Sequence, residues 1–149
     1  MSKLLEKARS YEAKKIAATD KESKPLFHIS APAGWINDPN GFSVYNGKIH
    51  LFYQYYPYLR EWGPMHWGHS TTSDMIKWEQ LPCALAPDEE YDKKGCFSGS
   101  AIEADGKHVL VYTGVTRIKL PDGSEQERQN QCIAFGDGLN YVKHENNPV

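Results

Sequence analysis

The sequence has few cysteines, no excess of basic residues and no long apolar run. Its 149 residues include three cysteines without a C-x-x-C spacing, which is typical of a reducing compartment. The formal net charge of −2 argues against nucleic acid or an anionic membrane as a partner. No stretch approaches the roughly 18 apolar residues of a membrane span, and residues 1–10 lack the apolar core of a secretory signal. We therefore expect a cytoplasmic protein without nucleic-acid or membrane partners.

Residues 2–19 are predicted to form a helix. Apolar side chains such as Leu5 and Ala8 recur there at helical spacing among Ala, Lys and Glu. A polar break follows, and the signals beyond it favour β-structure. The chain is therefore divided into an N-terminal helix and linker, residues 1–24, and a β region, residues 25–149.

Aromatic residues crowd between Phe27 and Trp78, a segment that contains all four tryptophans. They alternate with Asn, Gln, Asp and His. Such a mixture can form a β core or a sugar-binding cleft, and composition alone favours the core.

Two hairpins are predicted from the strongest hairpin dipeptides, Asn46-Gly47 and Asp105-Gly106. They border strand-like runs at Lys48–Tyr56 and His108–Val115. The two hairpins are also copies of each other, because Phe42–Gln54 aligns with Ala101–Thr113 without a gap.

The repeat extends beyond the hairpins, since Asp74–Trp78 matches Asp137–Tyr141 as an expected strand of each copy. A unit of roughly 60 residues with about four strands is typical of a β-propeller blade, and propellers close with roughly four to eight blades. About two are present here. We therefore predict an all-β fold that is the N-terminal part of a longer propeller. The alternative is a complete two-sheet β protein with coincidentally similar hairpins.

The segment Trp35–Gly41, Trp-Ile-Asn-Asp-Pro-Asn-Gly, is the most specific motif. Asp-Pro-Asn-Gly alone is an ordinary turn sequence. Here it follows a tryptophan and precedes a predicted strand, so the turn would hold the Asp38 carboxylate rigidly at a strand end. A carboxylate in that position can act as the nucleophile of sugar transfer.

Other side chains are candidates for binding sugar. Gln54 lies among aromatic residues and is equally compatible with a satisfied core amide and a ligand of sugar hydroxyls. Trp62 lies between Glu61 and a Gly-Pro turn, which is a suitable position for an exposed indole that stacks on a sugar ring. The small residues around Phe97 and Ser98 permit either close approach of a ligand or a tight strand entry.

A metal site is not expected. His66 and His69 have an i, i+3 spacing that converges on a helix, but the glycines and the proline around them disfavour a helix. On a strand the two imidazoles would point to opposite faces. A serine nucleophile is not expected either, because no G-x-S-x-G elbow precedes a helix.

In their order and spacing, the motifs WINDPNG, FYQYYP, WGPMHWGHS, DMIKW, LPCALAPD and GCFSGSAIE resemble glycoside hydrolase family 32. Within it they are most similar to the sucrose-6-phosphate hydrolases and invertases. The resemblance covers Pro25 to Val149. It implies a five-bladed β-propeller followed by a β-sandwich, with this chain supplying the first two blades after an N-terminal helix.

The resemblance also implies a reaction and a site. Asp38 matches the family's catalytic nucleophile, which attacks the anomeric carbon of the fructosyl unit and forms a covalent fructosyl-enzyme with net retention. The implied substrate is sucrose 6-phosphate or sucrose, the former favoured by the missing signal peptide. Neither a metal nor an organic cofactor is implied, and the oligomeric state is left open. The residues that match the fructose site are Trp35, Ile36, Asn37, Gln54, Trp62, Phe97 and Ser98.

Two motifs of the family do not occur in this sequence. Its Arg-Asp-Pro motif supplies an aspartate that stabilises the transition state, and its Glu-Cys motif supplies the general acid/base. In the family both lie C-terminal to the matched region, so we expect little or no turnover from this chain alone. The competing hypothesis is a non-catalytic fructoside-binding module or degenerate remnant. A blade-repeat interaction scaffold would not explain why the sugar-site motifs are intact.

Overall fold

The computed structural model describes residues 1–20, 22 and 24–149. The predicted linker includes Lys21 and Ser23, which lie outside the described residues. Within the described part of the chain, no helix is long and apolar enough to cross a membrane. In chain order the elements are α1 (Lys3–Ala18), β1 (Trp35–Tyr45), β2 (Lys48–Tyr56), β3 (His66–Thr72), β4 (Glu79–Leu85), β5 (Gly95–Ala104), β6 (Lys107–Lys119), β7 (Glu125–Gly136) and β8 (Tyr141–Lys143).

The strands form two four-stranded antiparallel meanders, β1-β2-β3-β4 and β5-β6-β7-β8, here called the first and second sheet. The prediction of an all-β fold with a helix in front of it is confirmed. Both predicted hairpin turns are present, since Asn46 and Gly47 have φ of 49° and 72°, and Asp105 and Gly106 have φ of 50° and 70°. Two successive positive φ values are the signature of the type I′ turn.

The expected strand at residues 74–78 is wrong throughout, and the one at residues 137–141 is wrong except for its last residue, Tyr141. Asp74 Oδ1 accepts the backbone N–H groups two and three residues later, at 2.9 and 2.8 Å. Asp137 Oδ1 does the same at 2.9 and 2.7 Å. Each aspartate thus closes a turn with its own side chain, and the strands begin only at Glu79 and Tyr141. The two acids occupy equivalent places, which agrees with the repeat.

The main core lies between the two sheets. The rings of Phe52 and Trp67 from the first sheet pack with Tyr112 and Tyr141 from the second, and all four are buried. Seven aromatic side chains are buried, namely Tyr45, Phe52, Tyr53, Tyr55, Trp67, Tyr112 and Tyr141, while Trp62 remains 57% exposed. The three cysteines are free and buried.

Helix α1 covers part of the outer side of the first sheet. Ser2 caps it by accepting the N–H of Leu5 at 3.2 Å, so the helix is one residue shorter at each end than predicted. Leu5 and Ala8 are buried against Tyr53 and Tyr55 of β2. The division of the chain between residues 24 and 25 stays a prediction.

Candidate active site

A cleft of about 250 Å³ opens where one end of the first sheet meets the second sheet. Strands β1 and β2 and the loop before β3 form one wall, and β5, β6 and β7 form the other. Six of the eight residues that the sequence predicts for the site line it. The lining residues are Asn37, Asp38, Gln54, Trp62, Phe97, Ser98, Thr113 and Gln129.

Asp38 enters the cleft because β1 bulges there. The pairing between β1 and β2 skips it, since Asn37 is opposite Gln54 and Pro39 is already opposite Tyr53. Its φ is 21°, and its side chain is exposed. A bulge leaves one residue unpaired and redirects it, so this one presents the carboxylate at a fixed place in the cleft.

Ser98 occupies the equivalent place in the second sheet. The pairing between β5 and β6 passes from Phe97 to Gly99 and leaves Ser98 unpaired. Gly99 is required beside it, because a Cβ there would lie 1.9 Å from the carbonyl oxygen of Val111. The two sheets therefore place an unpaired polar residue each, Asp38 and Ser98, in the same cleft.

Two amides line the cleft beside the carboxylate, and both are held by the protein. Asn37 Oδ1 accepts the indole N–H of Trp35 at 2.6 Å. Gln54 is only 3% exposed, and its Nε2 donates to the carbonyl oxygen of Cys96 at 3.0 Å. Gln54 is therefore both a buried amide that ties the first sheet to β5 through its NH₂ group and a residue of the cleft.

The aromatic side of the cleft is formed by Trp62 and Phe97. Their ring centroids are 6.3 Å apart and their planes are nearly perpendicular, at 88°. The backbone at Phe97 is fixed by the buried Trp67, whose indole N–H donates to the Phe97 carbonyl oxygen at 3.1 Å. The exposed face of Trp62 is thus available to an apolar sugar face beside the polar groups.

The other two predicted residues do not line the cleft. Trp35 is connected to the cleft indirectly, because its indole N–H donates to Asn37, which lines the cleft. Ile36, 37% exposed, neighbours Asn37 on β1, and adjacent strand residues point to opposite faces.

Thr113 and Gln129 line the cleft but were missed. The repeat could have identified Thr113, because it aligns with Gln54 and also pairs with Phe97. Nothing in the sequence singles out Gln129, which lies on β7 opposite Val115.

Asp38 is the one carboxylate among the described residues that line the cleft. The lining offers no imidazole or thiol beside it, so it lacks the usual ligand set for zinc or another transition metal. The remaining groups are amides, hydroxyls and aromatic rings, which are suited to binding a neutral polyol.

The histidines of the i, i+3 pair do not converge. His66 Nδ1 lies 2.9 Å from the carbonyl oxygen of Pro64, and His69 Nε2 lies 2.9 Å from Nδ1 of His50. Burial lowers the pKa of His66 to about 4 and lowers that of His69 well below its usual value. Both are therefore neutral core residues near neutral pH.

A larger cavity, about 480 Å³, lies between α1 and the loops at residues 30–34 and 58–60. Its described lining includes Lys15, Lys24 and Arg60 but no carboxylate and none of the predicted site residues. The chemistry therefore favours the smaller cleft over the larger cavity as the candidate active site.

Comparison with known families gives one match over most of the chain. The profile of the glycosyl hydrolases family 32 N-terminal domain matches residues 28–149. The sucrose-6-phosphate hydrolase of Escherichia coli is 48% identical over 120 residues, which are 80% of this chain and 25% of that protein. The levanase of Bacillus subtilis is 40% identical over 150 residues, which are 98% of this chain and 22% of that protein. The chain thus spans about a quarter of the length of the curated relatives it matches.

Solved structures show the same similarity. The family 32 β-fructofuranosidase of Bombyx mori superposes with a TM-score of 0.83 at 46% identity, over 96% of this chain and 30% of that one. A variant of that enzyme has been solved in complex with sucrose. The sucrose-6-phosphate hydrolase of Lactobacillus gasseri gives a TM-score of 0.74 at 34% identity, over 95% of this chain and 27% of that one. The two sheets are accordingly two blades of a partial β-propeller.

Proposed function

The chain belongs to glycoside hydrolase family 32, and on this basis we propose that its cleft is the fructose-binding part of a retaining β-fructofuranosidase site. Asp38 is the nucleophile. The observation that carries this proposal is the bulge that places the Asp38 carboxylate in a cleft of amides, hydroxyls and aromatic rings. The other proposed substrate contacts are made by Asn37, Gln54, Trp62, Phe97 and Ser98.

The reaction proceeds in two displacements. A carboxylate oxygen of Asp38 attacks the anomeric carbon of the fructosyl unit, and the bond from that carbon to the glucosyl oxygen breaks while an acid protonates that oxygen. Water then attacks the same carbon and gives its proton to the deprotonated acid, which releases fructose and restores Asp38, so the configuration is retained. Retaining sites place the acid about 5 Å from the nucleophile.

The acid is supplied from outside the described residues of this chain. The described lining of the cleft contains no second carboxylate, and the matched residues cover only 25% of the Escherichia coli relative. Residues 25–149 are accordingly the N-terminal part of the propeller catalytic domain, preceded by the helix and linker of residues 1–24.

The proposed partner of the cleft is a small molecule, its substrate, which is sucrose 6-phosphate or sucrose. Two of the relatives, from Escherichia coli and Lactobacillus gasseri, are sucrose-6-phosphate hydrolases. The Bombyx mori variant in complex with sucrose supports the unphosphorylated sugar as well. Both substrates share the fructosyl unit that the cleft would bind.

The test of the nucleophile is Asp38→Asn in the full-length enzyme that carries this segment. Asparagine has the same shape but cannot attack, so we expect sucrose hydrolysis to fall by about three orders of magnitude or more. Thermal unfolding should be unchanged, because the side chain is exposed. Asp105→Asn, in a hairpin turn outside the cleft, is the matched control and should keep full activity. Near-normal turnover by Asp38→Asn would contradict the assignment.

A fructoside-binding module is the second candidate, and the single carboxylate in the described lining favours it. It predicts that the 149-residue chain and the full-length gene product both bind fructosides without cleaving them. Sucrose titrations followed by NMR, with reducing-sugar release measured in parallel, separate the two functions. Hydrolysis by the full-length product supports the enzyme, and binding without hydrolysis supports the module.

A further inference from the structure

The amides of Asn37 and Gln54 lie side by side and are held from opposite ends. The two residues are register partners across β1 and β2, at the edge of the cleft. Asn37 is held through its oxygen by Trp35, and Gln54 is held through its nitrogen by the backbone of Cys96. Asn37 is therefore held by its acceptor end and Gln54 by its donor end.

The chemistry of the two partners fixes these orientations. An indole N–H can only donate, so the end of Asn37 that meets Trp35 at 2.6 Å must be its oxygen. A backbone carbonyl can only accept, so the end of Gln54 that meets Cys96 at 3.0 Å must be its NH₂ group. Reversing either amide would replace a hydrogen bond with a contact between two donors or two acceptors.

The free ends of the two amides therefore differ. Among the described residues, no protein group is hydrogen-bonded to Nδ2 of Asn37 or to Oε1 of Gln54. The cleft is thus offered one N–H donor and, beside it, one carbonyl acceptor. A sugar hydroxyl complements this pair, since it accepts from Asn37 and donates to Gln54, either as one hydroxyl or as two adjacent ones.

We propose that Trp35 is a positioning residue that acts on the substrate through Asn37, whose amide it holds by the oxygen so that the NH₂ group stays free for a sugar hydroxyl. This inference rests on the proposed function and deepens it. Trp35 itself does not line the cleft, so its effect on binding passes through the amide it orients.

The first test uses the 149-residue chain and does not depend on catalysis. Solvent exchange of the Trp35 indole N–H is followed by NMR in Asn37→Ala and Asn37→Asp. Alanine removes the acceptor, so the exchange should become several-fold faster. Aspartate keeps an oxygen for Trp35, so the exchange should stay slow. The indole N–H of Trp78, at the opposite end of the first sheet, is the internal control and should not change. Equal exchange of the Trp35 N–H in Asn37→Ala and the unsubstituted chain would overturn the proposal.

The second test is a double-mutant cycle in the full-length enzyme, with sucrose as the probe. Trp35→Phe keeps a ring but removes the N–H, and we expect KM to rise about fivefold, the effect of roughly 1 kcal/mol from one oriented hydrogen bond. In an Asn37→Ala background the same substitution should leave KM unchanged, because nothing remains to be oriented. Trp78→Phe is the matched control.

An equal effect of Trp35→Phe on KM in both backgrounds would show a role in packing instead and would overturn the proposal. If Trp35→Phe does not fold, the exchange measurement on the Asn37 variants still decides. Failure of the proposed function would appear separately, as sucrose hydrolysis that survives Asp38→Asn while the Trp35 N–H remains protected.

Discussion

Glu12 is a buried carboxyl group in the contact between α1 and the first sheet. Its side chain is 3% exposed, and Oε2 accepts the backbone N–H of Cys83 at 3.0 Å. Burial raises the pKa of Glu12 from 4.5 to about 7. In the unfolded chain the group ionises near its ordinary value. The stability that its protonated form confers is therefore complete below pH 4.5 and is lost as the pH rises towards 7.

Glu12→Gln should remove this loss. Glutamine keeps an oxygen for the Cys83 N–H but cannot ionise, so the free energy of unfolding should exceed that of the unsubstituted chain at pH 8 by about 1–3 kcal/mol. At pH 4 the two should be nearly equal. Urea unfolding across this pH range measures the difference, and Glu6→Gln on the exposed side of α1 is the control. A constant difference at all pH values would show that ionisation of Glu12 is not the cause.

Single residues differ in how far the sequence predicts them. Asp38 is predicted because its role is tied to a contiguous motif, and the structure places it in the cleft. The burial of Glu12 is not predicted, because the buried face of a helix is identified from its apolar residues. Glu12 nevertheless follows Ala8 by one turn and lies on the same face. Gln129 is not predicted either, because only the pairing of β6 with β7 brings it to the cleft.

The strands and hairpins are predicted well wherever local turn chemistry decides them. The type I′ turns at residues 46–47 and 105–106 set the register of both hairpins. The bulges at Asp38 and Ser98 were not predicted. A bulge is defined by how a strand pairs with its neighbour, and it leaves the order of polar and apolar residues in the sequence almost unchanged. The elements were therefore predictable, whereas the two distortions that build the cleft were not.

Helix α1 is linked to both sheets by one side chain. The guanidinium of Arg9 donates through Nε to the carbonyl oxygen of Cys83 at 2.9 Å, in the first sheet. Its two terminal nitrogens donate to Asn140 Oδ1 at 2.8 Å and to the Leu139 carbonyl oxygen at 3.1 Å, in the turn before β8. A planar fork of donors can satisfy three acceptors in fixed directions, and an ammonium group on a flexible stem cannot do so equally well.

Arg9→Lys should therefore destabilise the chain although the charge is kept. We expect a loss of about 1–2 kcal/mol in the free energy of unfolding, from hydrogen bonds that lysine cannot reproduce. Urea unfolding at pH 7 provides the measurement. The reverse exchange on the exposed side of the same helix, Lys14→Arg, should change the stability very little. An unchanged midpoint for Arg9→Lys would show that the three hydrogen bonds of the guanidinium do not stabilise the position of α1.

At the scale of the whole molecule, the two sheets meet through three buried histidines. His50 Nδ1 and His69 Nε2 are 2.9 Å apart, so the pair cannot carry protons on both of these nitrogens. His108 bridges Ser43 Oγ at 2.9 Å and the Tyr141 hydroxyl at 2.8 Å. None of these imidazoles is ion-paired with a described carboxylate. Burial lowers the pKa of all three, that of His108 to about 4.

Neutral histidines in this interface make the packing of the two blades acid-sensitive. A pKa below its ordinary value of 6.5 means that the associated stability is present above pH 6.5 and is lost as the pH falls towards 4. Glu12 acts in the opposite direction over nearly the same range. Three interface histidines oppose this one carboxyl group, so we expect a net fall in the free energy of unfolding between pH 7 and pH 5.

His108→Gln tests this expectation at the centre of the interface. Glutamine can still bond to Ser43 and Tyr141 but cannot take up a proton, so the fall in stability between pH 7 and pH 5 should shrink by about 2 kcal/mol. His28→Gln, which alters an exposed imidazole, should leave the pH dependence as it is. Urea unfolding at both pH values, followed by tryptophan fluorescence, measures the difference. If His108→Gln and His28→Gln show the same pH dependence, the acid sensitivity must arise outside the contact between the two sheets.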